Sequence, residues 1–388
     1  MKQILPKLKE LNKHLSFAKK SFTKNGFRHF TNYIDGLVAV NKKTINQISN
    51  ASLDENHHSQ ITYLLNDANF EQKKLEERYI KKIKYLFGKL PLILCLDDTL
   101  NKREGKQIQE TQKHFDHSSN SFLTGHQYFT SVIVAGNNVM PLFPKLYSKN
   151  TDSKIEMARD LIDFLNKKLP LKLVLFDSWY SDKKLISKLI TKGIHVICGI
   201  KTNRKICLKP WKWEKLSTFS KLSHDFSDYF IDEEIYKISS YKAKLEGLPF
   251  MKMLISKQWN EKENKWSENF HLISTNRKLN VSQIIRLYSK RWAIETFHRD
   301  IKQNLGFAKA FIRNKTAIVR HSIFVVLAYA VLKLFMLGNG LKKTIGECCS
   351  YIQDKEMDGF VLEIIEIEDK KERMDYYNRV FIRKTAKL

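Results

Sequence analysis

Four residues constrain one stretch of this 388-residue chain more than anything else in it. In Tyr288-Ser-Lys-Arg291-Trp-Ala-Ile-Glu295-Thr-Phe-His-Arg-Asp-Ile-Lys302, a phenol, a guanidinium, a carboxylate and an ammonium stand at offsets 0, 3, 7 and 14. Each residue of an α-helix turns about 100°, so the four fall within roughly 60° of one another. One helix, beginning near Ser282 as N-cap, then carries a single stripe with a carboxylate between groups that grip phosphate. A metal-binding carboxylate in that company suits phosphoryl-transfer chemistry on DNA. The bland alternative is a solvated helix face with an ordinary ion pair. Carboxylates upstream weigh against it.

The charge points the same way. The chain carries a net +27, with 43% hydrophobic residues and a pI near 9.7. An excess this large implies a polyanionic partner, nucleic acid before any other. Residues 341–388 hold ten basic and ten acidic side chains, so the whole excess lies upstream of them. The five cysteines form no CxxC pair, which argues against a disulfide scaffold or a zinc ribbon and favours a reducing cytosol. The N-terminus lacks the apolar core of a signal peptide. The longest apolar run, Ile323 to Leu332, is too short to span a bilayer and reads as a buried helix, so no membrane partner is expected.

Hydrophobic periodicity divides the chain into regions. Residues 1–89 read as a helical, DNA-binding N-terminal domain with a net charge of +9. The segment Lys43–Asn50 is compatible with a helix-turn-helix-like unit or with a plain bundle. Residues 90–200 read as the first part of a mixed α/β core. Its strands are Leu92–Leu96, Gln127–Ala135, Val139–Tyr147, Leu171–Phe176 and His195–Ile200, with helices over Ile155–Leu169 and Lys183–Lys192. Residues 201–278, rich in Trp and Lys, read as a β-rich insertion with strands at Phe250–Ser256 and Phe270–Thr275. Residues 279–340 return to the core with the Glu295 helix, and 341–388 form a helical C-terminal region.

Asp97-Asp98 and Asp177 each follow an apolar strand in this reading. Strand ends fix the backbone while the side chain reaches open space. With Glu295 from an adjacent helix, three such carboxylates can hold two divalent ions. Capping or turn formation is the common alternative for an Asp at such a position. Adjacent strand residues face opposite ways, so only one of Asp97 and Asp98 is expected to be a ligand.

The chain resembles the DDE transposases of bacterial insertion sequences, in the group marked by the signature Y-x2-R-x3-E-x6-K. Tyr288, Arg291, Glu295 and Lys302 match it without a gap. Asp97-Asp98-Thr99 resembles the group's first-Asp motif, and Asp177-Ser-Trp-Tyr180 its second. The resemblance covers residues 90–310. It implies an RNase H-like fold, a mixed sheet flanked by helices and interrupted by a β-rich insertion, for which the 118 positions between Asp177 and Glu295 leave room. It further implies that Asp97 (with Asp98 as the alternative), Asp177 and Glu295 are catalytic residues that bind two Mg²⁺ ions, with Mn²⁺ able to substitute. Tyr288, Arg291 and Lys302 would hold backbone phosphates near the cleaved end.

Four further positions are candidates for contact with DNA in addition to His298, which lies one turn past Glu295 and reads equally as a packing residue. Lys201 and Arg204 open the insertion. Phe270 and Trp266 lie 25 and 29 residues before Glu295, where relatives that form hairpin ends stack an aromatic on a flipped base; for Phe270 a core position is the favoured reading. The expected activity is cut-and-paste transposition: binding of terminal inverted repeats, metal-dependent cleavage, and transfer of 3′-hydroxyl ends to target DNA. Double-stranded DNA as partner, both transposon ends and target, a homodimer on that DNA and a cytoplasmic, nucleoid-associated location follow from the resemblance. The rivals are an RNase H-like nuclease that does not transpose and a non-catalytic, transposase-derived DNA-binding protein.

Overall fold

The run Leu92–Leu96 is apolar at every position and buried throughout, so it takes the central place in a sheet covered on both faces. The computed structural model describes residues 8–51, 58–105, 107–116, 120–222 and 224–377. In it, five α-helices and one 3-10 helix (Lys13–Ser21) precede that strand; the α-helices are α1 (Lys9–Asn12), α2 (Lys24–Ala39), α3 (Ile45–Ala51), α4 (His58–Asn66) and α5 (Gln72–Phe87). Thr23 caps α2 by accepting from Gly26 N. The α3 helix packs on α2 and α4 through buried Ile48. Residues 52–57, between α3 and α4, lie outside the described residues.

The core strands are β1 (Leu92–Lys102), β2 (Gln112–Asp116), β3 (Ser121–Ala135), β4 (Asn138–Pro141), β5 (Lys145–Tyr147), β6 (Leu171–Phe176) and β7 (His195–Gly199). The helix α6 (Lys154–Asn166) precedes β6, and α7 (Lys183–Thr191) joins β6 to β7. A capping box of Ser153 and Glu156 starts α6. The β1–β3 pair is antiparallel, whereas β1–β6 and β6–β7 are parallel, which requires the helical crossovers.

Three expectations change here. The strand β1 does not stop at Leu96 but runs through both aspartates to Lys102. Its β6 partner ends sooner, with Cys95 opposite Leu175. Asp97 therefore sits inside a strand, yet beside an open edge. The expected strand Val139–Tyr147 is two short ones, β4 and β5, both on β3, with Leu142–Pro144 between them; Pro144 has no N–H for a ladder. The strand β2 was not expected from the sequence.

The insertion holds β8 (Lys205–Lys209), β9 (Lys212–Lys215), α8 (Leu216–Phe219), β10 (Ser227–Ile231), β11 (Glu234–Leu245), β12 (Phe250–Asn260), β13 (Lys265–Trp266) and β14 (Phe270–Ser274). The β14 strand bonds to β12 on one side and to core strand β7 on the other. Core and insertion thus share one sheet, ordered β2-β3-β1-β6-β7-β14-β12-β11-β8-β9.

The last elements are α9 (Val281–Ser289), α10 (Trp292–Gln303), α11 (Lys315–Gly338), α12 (Ile345–Glu366) and α13 (Lys370–Tyr377). The α11 helix is long and apolar enough to cross a membrane, but 83% of its apolar window is buried inside the protein, as in a core helix. It packs on α2, α4, α12 and β4. Phe324 meets Phe30 edge-on at 5.0 Å, and the Tyr33 hydroxyl lies 2.8 Å from His321 Nδ1. The α10 helix lies against β1 and β3, which brings Glu295 to the side of β1 that carries Asp97.

Candidate active site

The expected single helix is two. Asn280, not Ser282, caps α9, in a capping box with Gln283. The chain then tightens: Arg291 N bonds to Tyr288 O and Ile294 N to Arg291 O, both i to i−3. Tyr288 therefore belongs to α9, while Arg291 is the N-cap residue of α10, which carries Glu295 and Lys302.

This break aims Arg291 at the carboxylates. Its Nη2 donates to Glu295 Oε1 at 2.7 Å, and its Nη1 lies 3.5 Å from Asp97 Oδ2. Only 15% of the Arg291 side chain is exposed. One guanidinium thus bridges a helix carboxylate and a strand carboxylate. Burial pushes the Asp97 carboxyl up to about 7, reinforced by the charges of Asp98 and Asp177 and opposed by the hydrogen bond from Asp98 N.

Asp177 lies just past β6. Its Oδ1 accepts from Trp179 N at 2.9 Å and Tyr180 N at 3.4 Å, capping a short 3-10 turn. It therefore caps and also stands within the electrostatic reach of Asp97. Burial raises its carboxyl too. A Cβ at Gly199 would stand 3.0 Å from Ser178 N, so a bare glycine lets this turn lie against β7.

Asp98 faces the other side of β1. Its carboxylate is ion-paired with the buried Lys154 and accepts from Gln127 Nε2. The Lys154 ammonium also sits 4.2 Å from the centre of the Trp179 ring. Sequence reasoning missed Lys154 and Gln127. A lysine in the first turn of a helix ordinarily reads as solvated, and only the fold shows it buried.

Lys302 donates to Leu100 O at 3.0 Å, and burial lowers its ammonium. The Tyr288 ring lies 5.7 Å from Phe270 and 5.8 Å from the Arg291 guanidinium. Phe270 is 44% exposed, so it is not the core aromatic the sequence favoured. Trp266 packs edge-on against Trp259 at 5.2 Å on the β12–β13 hairpin, with Lys237 over its face. Lys201 is exposed. Arg204, also exposed, donates to Ser181 O at 3.0 Å, close to the Asp177 turn. Of the two readings of His298, DNA contact and packing, the structure matches the second: its Nε2 lies 2.7 Å from Thr130 Oγ1, and burial lowers the imidazole to about 3.

The site suits a divalent cation in chemistry rather than as a finished cage. Among the described residues no three His, Cys, Asp or Glu side chains already stand together as a metal-holding cluster. Arg291 supplies the positive charge between two of the three carboxylates. Both aspartates are pushed toward protonation, a strain that a cation relieves. The Tyr180 hydroxyl is buried without a partner and feels the charges of Asp97, Asp98 and Asp177. An orphaned donor beside carboxylates fits a site whose ligands include water.

Comparison with known proteins agrees with this chemistry. The family model described as "Transposase DDE domain" matches residues 88–331, well over half of the chain. A second, "DDE superfamily endonuclease", matches residues 18–139. No curated protein matches the chain. Among solved structures, the cryo-EM structure of a piggyBac transposase synaptic complex with hairpin DNA is 13% identical, with a TM-score of 0.45, over 96% of this chain and 81% of that one. The assignment does not rest on that likeness. The family match spans both aspartate motifs and the Glu295 helix, and on it this chain belongs to the DDE-domain transposases, metal-dependent enzymes that act on DNA.

Proposed function

We propose that this transposase moves an insertion sequence by cut and paste. It binds terminal inverted repeats, hydrolyses a phosphodiester to expose a 3′-hydroxyl, and joins that hydroxyl to target DNA. The chain would belong to the Y-x2-R-x3-E-x6-K group and act as a homodimer on DNA, in a bacterial cytoplasm and at the nucleoid. Asp97, Asp177 and Glu295 would hold two Mg²⁺ ions, with Mn²⁺ as a working substitute. One observation carries the reading: the Arg291 guanidinium joins Asp97 to Glu295 while Asp177 adds to the field at Asp97. Positive charge is needed there, and carboxylate oxygens suit a hard cation. Asp97 is preferred to Asp98 because Arg291 ties it to Glu295, whereas Asp98 is paired with Lys154 and Gln127.

When bound, such ions would activate the attacking water or 3′-hydroxyl and stabilise the leaving oxygen of an in-line displacement. The chain's own residues bind and orient the DNA. Arg291 and Lys302 rest on internal oxygens and would exchange them for phosphate oxygens of the scissile strand, beside Tyr288. Lys201 and Arg204 would extend that phosphate track. Phe270, exposed against Tyr288, and Trp266 would face bases. Asp177→Asn and Glu295→Gln are expected to abolish cleavage of a terminal-repeat fragment and leave its binding intact. Cutting by either variant at a near wild-type rate would sink the assignment.

A further inference from the structure

The β1–β3 register sets Thr130 directly opposite Asp97. The Thr130 hydroxyl donates to the Asp97 backbone carbonyl at 3.1 Å and lies 2.7 Å from His298 Nε2. A threonine hydroxyl has one proton. A continuous link from Asp97 to His298 needs that proton at the Asp97 carbonyl, with Nε2 carrying its own hydrogen and donating to Oγ1. His298 lies three residues beyond Glu295 on α10. The chain of two bonds therefore ties the backbone of one carboxylate-bearing residue to the helix that bears another.

We infer that Thr130 and His298 are positioning residues, a two-bond strut that fixes the spacing between Asp97 on β1 and Glu295 on α10. The inference rests on the reading of Asp97 and Glu295 as partners in catalysis. Neither strut residue needs to touch DNA. The Asp97 side chain is otherwise steered by a single guanidinium and by the amide of Asp98. A site of this kind must hold its ligands to within about 0.5 Å, and a misplacement of about 1 Å can cost on the order of 10²-fold in rate. Both strut groups are neutral, so they hold position without adding charge that would compete with Arg291.

The test uses the full-length protein and four substitutions. Thr130→Val keeps the shape and removes the hydroxyl, and His298→Phe keeps a ring and removes the donor. Thr130→Ser keeps the hydroxyl, and His298→Gln places an amide donor near Nε2. The readouts are single-turnover cleavage on saturating DNA, end affinity, and the ¹⁵N spectrum of the metal-free protein. Val and Phe are expected to slow cleavage by about 10- to 100-fold with end affinity within about twofold of wild type. Ser and Gln should recover most of the loss. Thr130→Val with His298→Phe should be no slower than the worse single, as for groups that act as one unit. The spectrum should report His298 as the Nε2–H tautomer from about pH 6 to about pH 8, with a shifted signal in Thr130→Val.

Normal rates in both Val and Phe, additive losses, or an Nδ1–H tautomer would overturn the strut. In the last case Thr130 would be donating to the ring and not to Asp97. Should Thr130→Val fail to fold, His298→Phe with His298→Gln decides by the same criteria. Asp97→Asn separates the two claims. If it is inactive while Val and Phe cut normally, only the strut fails. If Asp97→Asn itself cuts normally, the reading of the active site fails first.

Discussion

Asp97→Asn is expected to stabilise the metal-free protein at pH 8 while destroying its chemistry. Only 17% of the Asp97 side chain is exposed, and burial raises its carboxyl from an ordinary 3.8 to about 7. The folded protein thus keeps a proton that the unfolded chain has already lost. Stability from that group is full below about pH 4 and is lost as pH rises through about 7. The shift corresponds to about 4 kcal/mol as an upper figure, with the attraction of Arg291 already included in it. Asparagine has no such charge. The stability difference between Asp97→Asn and wild type, measured by denaturant unfolding without divalent metal, should therefore grow by about 2–4 kcal/mol from pH 4 to pH 8. Carboxylates beyond the reach of Asp97 titrate alike in both proteins and cancel; Asp98 and Asp177, which interact with it, contribute to the width of that range. Adding Mg²⁺ should narrow the gap, because only wild type gains from binding. A pH-independent difference, or a mutant less stable at pH 8 than at pH 4 relative to wild type, would refute the view of Asp97 as a strained, buried carboxylate.

Three further outcomes are expected. Lys154→Met should destabilise the protein by about 2–3 kcal/mol by leaving Asp98 unpaired, and adding Asp98→Asn should recover part of that loss, as read from urea midpoints. Arg291→Ala should slow single-turnover cleavage of a pre-nicked end by on the order of 10²-fold, with Arg291→Lys a poor rescue because an ammonium cannot span two acceptors as a fork does; a rate for Arg291→Ala within about twofold of wild type would remove the positioning role. Affinity for the terminal repeat should fall steeply with salt, measurable by titration of fluorescent DNA.

The sequence carried the chemistry better than the geometry. Tyr288, Arg291, Glu295 and Lys302 were legible as a set because helical spacing is local. The turn between α9 and α10 was not, because the tightening at Lys290–Arg291 has no glycine or proline to announce it. It matters, since it swings Arg291 onto Asp97. The apolar run before Asp97 was plain, but the continuation of β1 to Lys102 depends on pairing with β3, a non-local contact. Strand alternation foretold that Asp97 and Asp98 would part; only the fold revealed that Lys154 takes Asp98. Thr130 carried no signal, since a threonine within a strand is ordinary until its partner across the sheet is known. The insertion was visible as a change of texture. Its union with the core through β7 and β14 was not, because both edges are apolar strands with no mark of the neighbour they choose.

The most direct test combines cleavage and joining in one reaction. A labelled fragment bearing the element's ends is incubated with target plasmid, Mg²⁺ and either wild type, Asp97→Asn or Asp98→Asn. Wild type should release fragments ending in a 3′-hydroxyl and convert some to joined product. Asp97→Asn should yield neither, while folded Asp98→Asn should yield both at a reduced level. Cleavage and joining by Asp97→Asn at the wild-type level would contradict the assignment of this carboxylate, and with it the site built around Arg291.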